Sequence, residues 1–367
     1  MTDTTTASLP LRGQTLALWL PRAEVVVIPL AALACGLLIF SGFLLALGKS
    51  PAEFYALIYK AGFSSAFSWK NTLSRVAPLL FAALCVALPA RLGLVVIGGE
   101  GAIALGGLAA AVTGLLFVGT HPVVGLTFMV LAAAITGALW MGAIGWLRFK
   151  RGVNETIASL LMAYIAIALL NHFVEGPFRD PNSLNKPSTA PLPESLLIGN
   201  MPIGIEVHWG FGVGVLACIL SWVLLDRTTI GFAARIAGQN IRAAQVQALP
   251  VGKLIIGFTA LGGAFAALAG FFEVTAIHGA ANASLVAGYG YTGILISFLA
   301  RHNPLAIIPV AILLAGFEAS SGLVQRRMDL PDATILVMQG IVFVVLLLSE
   351  TLYGRLAIFR PSFWRQH

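Results

Sequence analysis

The chain has 367 residues, of which 58% are hydrophobic and only 10% are charged, and its mean hydropathy is +0.92. Soluble domains carry about a quarter charged residues, so this composition excludes an ordinary water-soluble fold. Apolar runs recur from residue 25 to residue 349 with no long polar stretch between them, which indicates a single membrane domain. An unbroken run such as Val25–Leu47 predicts helices and not the alternating strands of a membrane barrel.

About 20 apolar residues are needed to cross a bilayer as a helix. On that length the sequence predicts ten spans, near residues 25–47, 74–90, 100–118, 123–147, 156–174, 207–225, 253–277, 284–300, 304–323 and 334–350. Glycines interrupt the apolar runs near 91–101 and 278–304, where we expect broken or re-entrant helices. The expected fold is an all-α integral membrane protein, with one transmembrane domain at 25–350 between tails at 1–24 and 351–367.

Lysine and arginine residues predict the orientation in the membrane. With the amino terminus inside, 14 of the 22 basic residues fall in cytoplasmic segments and the other 8 fall outside. Both termini are therefore expected to be cytoplasmic. The net charge of +7 is spread through short loops and forms no basic stripe for nucleic acid. The three cysteines lie in apolar segments without metal-ligand spacing, so neither a disulfide nor a metal site is expected.

Two loops are longer than simple connections. The external loop at 175–206 is rich in proline and is expected to be a structured periplasmic loop. The internal loop at 226–252 contains good helix formers in a three- or four-residue pattern. Its polar residues are Arg235, Gln239, Arg242 and Gln245, and its apolar ones are Ile236, Ile241 and Ala244. The pattern predicts short cytoplasmic helices near the membrane surface.

Familiar sequence motifs lack the context that their chemistry requires. Gly288–Gly293 reads GxGxxG, but no strand precedes it and no acidic residue follows at the right distance, so a helix break or tight packing is favoured over a dinucleotide site. Gly48-Lys49-Ser50 resembles the end of a phosphate-binding loop, but Phe43 stands where the first glycine is needed. The histidines form no HExxH motif. We expect no ATPase site, no catalytic residues and no metal in this chain.

Ionisable residues inside apolar segments are better pointers to function, because a charge in hydrocarbon costs at least about 2.5 kcal/mol. The candidates are Glu100, Glu273 and Glu318. Glu100 lies between Gly99 and Gly101, where a helix start could expose amides and a carboxylate to a solute pathway. The alternative is that Glu100 caps backbone amides at the break. Glu273 and Glu318 lie near predicted outer helix ends and could instead reach water.

Aromatic residues are the other candidates for a solute pathway. For a flat aromatic ligand the sequence suggests Phe81, Tyr164, Phe265, Tyr289 and Tyr291. The alternative is that these rings face lipid or pack in the core, which is the commoner use of aromatic residues in membrane helices.

The source of energy can also be argued from the sequence. Ion-coupled carriers keep charged relays at mid-membrane, and no predicted helix centre carries a clear ion pair. An external energy source is therefore favoured, with an ion-coupled secondary transporter of a small polar solute as the alternative. A third hypothesis is a membrane enzyme that uses Glu100 and Glu273 as an acid/base pair, although no nucleophile accompanies them.

Five stretches, taken in order, resemble the permease subunits of bacterial ABC importers of the branched-chain amino acid and simple-sugar class. They are Arg91–Gly107, Arg151–Ala166, Thr229–Ala248, Ala287–Pro304 and Met338–Gly340. The nearest branch is the nucleoside branch, which is served by basic-membrane-protein-type lipoproteins or periplasmic binding proteins. The resemblance covers residues from about 75 to 350.

This resemblance implies an alternating-access importer of the bacterial inner membrane for a nucleoside, nucleobase or related simple-sugar-like solute. Two permease chains would pair, two ABC ATPase subunits would bind below and use ATP and Mg, and a periplasmic binding protein would deliver solute. This chain itself would bind no cofactor. Gly231–Ala248 would couple to the ATPase, the alternative being a plain amphipathic surface helix. The family pattern matches at Gly231, Arg235, Gly238, Asn240, Ala243 and Ala244.

Overall fold

The computed structural model describes residues 11–183, 186–202 and 206–352, with side chains from residue 27 onward. Thirteen α-helices occupy these residues, and nine helical stretches among them are long and apolar enough to cross a membrane. The helices are α1 (Leu11–Ala46), α2 (Pro51–Gly62), α3 (Ala66–Ala90), α4 (Gly99–Leu116), α5 (Pro122–Arg151), α6 (Glu155–Glu175), α7 (Trp209–Arg227), α8 (Thr229–Gln239), α9 (Ile241–Val246), α10 (Val251–Phe272), α11 (Tyr289–Leu299), α12 (Pro304–Met328) and α13 (Ala333–Glu350). The predicted all-α membrane fold is confirmed.

The predicted spans match the structure within a few residues where local sequence signals fix the helix ends. Helix α5 ends at Gly152, whose φ of 66° suits glycine. The side chain of Asn154 then accepts the N–H groups of Thr156 at 2.9 Å and Ile157 at 3.2 Å, which fixes the start of α6. The short connection makes α5 and α6 successive spans, as predicted.

Polar helix starts were the main source of error. Helix α2 is short and carries Glu53 and Lys60, so it has no span-length apolar run. Helix α3 begins at Ala66 and not near residue 74, because Ser65 caps it by accepting the N–H of Ser68 at 3.1 Å. Helix α1 begins at Leu11, within the expected amino-terminal tail. Residues 1–10 and 353–367 lie outside the described residues.

Both predicted helix breaks are present. Residues 92–98 are non-helical between α3 and α4. After α10 the chain forms a π-helix at Glu273–His278 and a 3₁₀ turn at Ala283–Leu285 before α11 begins. Helix α11 has 11 residues, so it is about 16 Å long, roughly half of the hydrocarbon thickness. The eighth predicted span is therefore the broken one.

The chain divides into two compact units, and the larger comprises Ala56–Val324. Helix α10 lies at its centre and packs against α3, α4 and α5. Small residues allow this close packing: a Cβ atom on Gly137 of α5 would lie 2.2 Å from the carbonyl oxygen of Gly263. Likewise, a Cβ atom on Gly270 would lie 2.0 Å from the carbonyl oxygen of Ile103 in α4.

The smaller unit contains the residues up to Tyr55 and those from Gln325 onward. Its main contact joins α1 to α13, where a Cβ atom on Gly36 would lie 2.9 Å from the Cα atom of Val342. The hydroxyl of Tyr55 donates to the carbonyl oxygen of Leu37 at 2.7 Å and ties α2 to α1.

Candidate solute pathway and coupling site

Glu100 joins the two broken helices of the larger unit. It lies in the first turn of α4 and its side chain is fully buried. Its Oε1 accepts the N–H of Gly288 at 2.7 Å, and its Oε2 accepts the N–H of Gly290 at 2.6 Å. Both oxygens therefore satisfy amides at the start of α11, where the helix dipole favours a negative charge. A Cβ atom on Gly290 would lie 2.4 Å from the Glu100 nitrogen, so this contact requires glycine.

The contacts of Glu100 are those of the capping alternative. Helix starts inside membrane transporters commonly face anionic solute groups, but here the chain's own carboxylate occupies that position. The neighbouring Gly101 serves close packing, because a Cβ atom at that position would lie 2.6 Å from the Cα atom of Ala163 in α6, whereas a Cβ atom on Gly99 would make only an ordinary contact of 3.6 Å with Sγ of Cys85. A role of Gly99, Glu100 and Gly101 in solute passage stays a prediction.

Glu273 is a second buried carboxylate in the larger unit, at the start of the π-helix. It is 2% exposed. Its Oε2 lies 3.4 Å from Nε2 of His278, whereas its Oε1 has no hydrogen-bond partner among the described residues. Short π-helices inside α-helices are frequent at functional sites. An unpaired buried carboxylate oxygen is costly to retain, which marks this position as a candidate for ligand contact.

Further ionisable side chains converge near Glu273 from other helices. Tyr289 is 8% exposed and lies within electrostatic reach of Glu273, Glu318, Arg75 and Glu100. Glu318 accepts a hydrogen bond from the hydroxyl of Thr292 at 3.0 Å. The Nε atom of Arg75 is buried and, like Oε1 of Glu273, has no partner within the described chain. Within the described residues the cluster thus contains one hydrogen-bond donor, Nε of Arg75, and one acceptor, Oε1 of Glu273, that lack a partner.

His208 stands at the edge of this cluster and caps helix α7. Its Nδ1 accepts the N–H of Gly210 at 3.2 Å, so its Nε2 carries the proton and donates to the carbonyl oxygen of Ser74 at 3.1 Å. Burial lowers the pKa of His208 below its usual range, which favours the neutral imidazole in this arrangement. His208 therefore joins the start of α7 to α3.

The predicted pathway aromatics separate into two groups. Phe81 is fully buried and stacks on Phe265 and on Phe272, with centroid distances of 6.2 Å and 5.4 Å. Tyr164 is 58% exposed on α6, and it lies within electrostatic reach of Tyr291, which is 42% exposed. The structure thus brings Phe81 and Phe265 together and leaves Tyr164 on an exposed face.

Sequence reasoning missed Arg75, His208 and Phe272 as candidates. Arg75 was counted among the external basic residues, at the outer end of the predicted span 74–90. His208 lies at the start of the predicted span 207–225, and Phe272 lies within the predicted span 253–277, where it was not singled out. The N-cap signal of Ser65 would have extended α3 and placed Arg75 in its interior, away from the helix end.

The short helices predicted for the loop at 226–252 are present as α8 and α9. The hydroxyl of Thr228 accepts the N–H of Gly231 at 3.2 Å, and Oδ1 of Asn240 accepts the N–H of Ala243 at 3.1 Å. These side chains cap the two helices. Helix α8 ends and α9 begins at Asn240, and Ile241 at the start of α9 is 45% exposed.

Helix α8 is fixed against the segment that follows α3. Oδ1 of Asp226 lies 3.0 Å from Nη2 of Arg235 and 3.1 Å from Nη2 of Arg91. A Cβ atom on Gly238 would lie 2.3 Å from the carbonyl oxygen of Arg91. We call residues 91–98 the linker. Helix α8 therefore contacts the start of the linker directly.

The linker continues this contact to α6 and α4. Val95 accepts a hydrogen bond from the hydroxyl of Thr156 at 2.7 Å, and Ile97 donates its N–H to Oγ of Ser159 at 3.0 Å. The linker then leads into Glu100, which holds the start of α11. A series of contacts therefore joins helix α8 to the buried helix break.

Three of the six residues of the predicted coupling pattern build the element, whereas Arg235, Asn240 and Ala243 are exposed. Gly231, Ala244 and Gly238 are sites of burial or close backbone approach. The strongly exposed apolar side chains belong to other positions. They are Ile230, Phe232 and Val246, at 51%, 62% and 88% exposure.

Comparison with known proteins decides the family. The model of the family described as "Branched-chain amino acid transport system / permease component" matches residues 68–347. The chain belongs to this permease family. The resemblance found from the sequence motifs is thereby confirmed, and the permease is a multi-pass protein of the cytoplasmic membrane.

Curated relatives of the permease match nearly its whole length. The glucose ABC transporter permease protein of Haloferax volcanii is 33% identical, over 92% of this chain and 90% of the relative. The guanosine ABC transporter permease protein of Bacillus subtilis is 27% identical, over 88% and 93%. A nucleoside ABC transporter permease protein of Lactococcus lactis subsp. cremoris is 22% identical, over 88% and 91%.

Proposed function

We propose that this permease is the transmembrane subunit of an ATP-driven importer and carries a neutral solute of the nucleoside, nucleobase or simple-sugar class. The observation that carries the proposal is the contact of helix α8 with the linker through Asp226 and Gly238. It provides a physical connection from a cytoplasmic surface to the buried helix break. Relatives named for glucose, guanosine and nucleosides support the solute class, because each of those solutes contains a sugar ring.

The exposed apolar side chains of α8 and α9 are the proposed docking surface for an ABC ATPase subunit. Phe232 and Val246 would bury their apolar area in the ATPase, which supplies binding energy of about 25 cal/mol per Å². ATP and Mg would be bound and used by that partner. A second permease chain and a periplasmic or lipoprotein binding protein would complete the importer.

The linker is the proposed route by which ATPase movement reaches the solute path. A shift of α8 would move Arg91 through Asp226 and would then move Glu100 at the other end of the linker. Because α11 is held at its start by Glu100, the two broken helices would move together between inward- and outward-facing arrangements. This supports alternating access driven from the cytoplasmic side.

Glu100 also bears on the charge of the solute. Its carboxylate accepts the N–H groups of Gly288 and Gly290, so these two amides at the start of α11 are not available to a phosphate or carboxylate of the solute. A neutral nucleoside, nucleobase or sugar fits this environment better than a nucleotide.

The docking surface can be tested with a matched pair of substitutions. Phe232→Ser removes an exposed ring from α8, and Phe67→Ser removes one that is 76% exposed from the start of α3. We expect Phe232→Ser to reduce recovery of the ATPase subunits with the permease, and ATP-driven uptake, by roughly tenfold or more. Phe67→Ser should leave both unchanged. Full ATPase recovery and uptake in Phe232→Ser would refute the assigned surface.

One observation favours the ion-coupled alternative. The contact of 3.4 Å between the buried Glu273 and the partly exposed His278 is an ionisable pair that the sequence did not reveal, and such pairs occur in proton relays. That alternative predicts uptake into liposomes that contain only this chain, driven by an ion gradient and abolished by an ionophore.

A further inference from the structure

Glu273 combines deep burial with an incomplete set of hydrogen bonds. It is 2% exposed, and its Oε1 has no partner among the described residues. Its Oε2 lies 3.4 Å from Nε2 of His278, which is longer than a normal charged hydrogen bond of about 2.7–2.9 Å. We infer that Glu273, together with Arg75, binds the hydroxyl groups of the sugar moiety of the solute. This inference rests on the proposed function and names the residues by which the permease recognises its solute.

The unused atoms of the cluster match a sugar hydroxyl. A hydroxyl both donates and accepts hydrogen bonds. Oε1 of Glu273 can accept such a bond, and Nε of Arg75 can donate one, while both residues lie within electrostatic reach of Tyr289. Since the two atoms are unsatisfied in the same cluster, a hydroxylated solute supplies what both of them lack. A purely apolar solute would leave both atoms unpaired.

An apolar surface lies beside these polar atoms. Phe272 directly precedes Glu273 and stacks on Phe81 at a centroid distance of 5.4 Å and an interplanar angle of 13°. Binding sites for small polar solutes commonly combine aromatic faces with a few placed polar groups. The C–H face of a sugar or the face of a base would pack on the rings, and its hydroxyls would reach Glu273.

The external loop shows the side from which a solute reaches Glu273. Leu192 and Thr189 of that loop donate backbone N–H groups to the carbonyl oxygens of Gly279 and Ala281, at 2.8 Å and 2.9 Å. The loop thus covers the segment just after His278, whose side chain is 24% exposed. A solute that enters from the loop side would contact His278 first. It would then replace His278 as the partner of Glu273, because a solute hydroxyl would form a shorter hydrogen bond.

The test uses the complete importer, comprising permease, ATPase subunits and binding protein, in liposomes. Guanosine is compared with 2′,3′-dideoxyguanosine, and glucose with 2-deoxyglucose. Glu273→Gln keeps the size of the side chain but forms weaker, uncharged hydrogen bonds. We expect it to lower the preference for the hydroxylated solute by roughly tenfold. Arg75→Lys keeps the charge but removes Nε, and should also lower the preference.

The control is Glu194→Gln, an exposed carboxylate of the external loop, which should keep the wild-type preference. The binding protein is the same in every sample, so a changed preference reports the permease. A wild-type preference in both Glu273→Gln and Arg75→Lys would overturn the inference. Uptake of leucine by the wild type, without guanosine or glucose, would instead overturn the proposed solute class, because an Arg/Glu pair also suits a zwitterion.

Discussion

Asp226 holds Arg235 in an ion pair of 3.0 Å that joins the end of α7 to helix α8. The side chains are 26% and 49% exposed, and exposed pairs of this kind contribute less than about 1 kcal/mol to stability. The same carboxylate oxygen also contacts Arg91 at the start of the linker. The importance of the pair is therefore positional, because it sets helix α8 against the route to the buried helix break.

Asp226→Asn should weaken coupling more than it weakens the fold. The variant leaves Arg91 and Arg235 without their shared carboxylate, so a shift of α8 moves the linker less. We expect solute uptake per ATP hydrolysed to fall by roughly threefold or more, with thermal stability nearly unchanged, measured in the reconstituted importer. Asp226→Glu should recover part of the uptake per ATP hydrolysed. The control is Asp332→Asn, because Asp332 is an exposed carboxylate. If uptake per ATP hydrolysed is unchanged in Asp226→Asn, Asp226 does not take part in the coupling.

Gly238→Ala tests the backbone contact between α8 and the linker. The added Cβ would lie 2.3 Å from the carbonyl oxygen of Arg91, so the helix must shift outward. We predict a decrease in ATP-driven uptake of roughly threefold to thirtyfold. Gly257→Ala is a matched control within helix α10, because a Cβ at that position meets nothing within 4 Å. Equal uptake by the two variants would show that this contact is not needed.

The fold was predictable where apolar runs end at strong local signals. Helices α4, α5 and α6 begin or end at Gly99, Gly152 and Asn154, which the sequence displays directly. The start of α3 was missed because its first turns carry several polar residues, so hydropathy does not mark them. Helix α2 was missed for the same reason, since Glu53 and Lys60 interrupt its apolar positions.

The candidate sites were only partly predictable. The coupling segment follows from helix periodicity and a family pattern, but the exposed surface of Phe232 and Val246 depends on how α8 and α9 pack. The contact of Glu100 with Gly288 and Gly290 joins residues almost two hundred positions apart, and no local pattern specifies it. The convergence of Arg75 on the cluster near Tyr289 likewise depends on tertiary packing.

Glu100→Ala should destabilise the permease because it removes the acceptor of two backbone amides at the start of α11. The change leaves the N–H groups of Gly288 and Gly290 without their acceptor, at a cost of about 1–3 kcal/mol for each. Glu100→Gln keeps one acceptor and should have an intermediate effect on the thermal midpoint in detergent. Glu53→Ala is the control, since Glu53 also lies in the first turn of a helix but is exposed. A thermal midpoint for Glu100→Ala equal to that of the control would contradict the capping role.

His302 should make stability fall in acid. Burial, followed by the charges of Arg91 and Arg301, lowers the pKa of His302 to about 4, and its Nδ1 lies 2.8 Å from Oγ of Ser297. The unfolded imidazole titrates near 6.5, so unfolding takes up a proton between about pH 6.5 and 4. The free energy of unfolding therefore falls over that range as pH decreases, by up to about 3 kcal/mol.

The substitution His302→Asn isolates this effect, because asparagine tolerates the positive φ of 54° at this position. The thermal midpoint should fall more between pH 7.5 and pH 5 in the wild type than in the variant. Identical pH dependence in the two proteins would show that His302 is not the group responsible.

The most direct test of the account is uptake into liposomes with and without the ATPase subunits. With the binding protein outside and ATP on the side of the ATPase, we predict uptake of labelled guanosine or glucose that requires ATP hydrolysis. It should persist when an ionophore has removed every ion gradient. Uptake by the permease alone, driven by an ion gradient and abolished by the ionophore, would contradict the account.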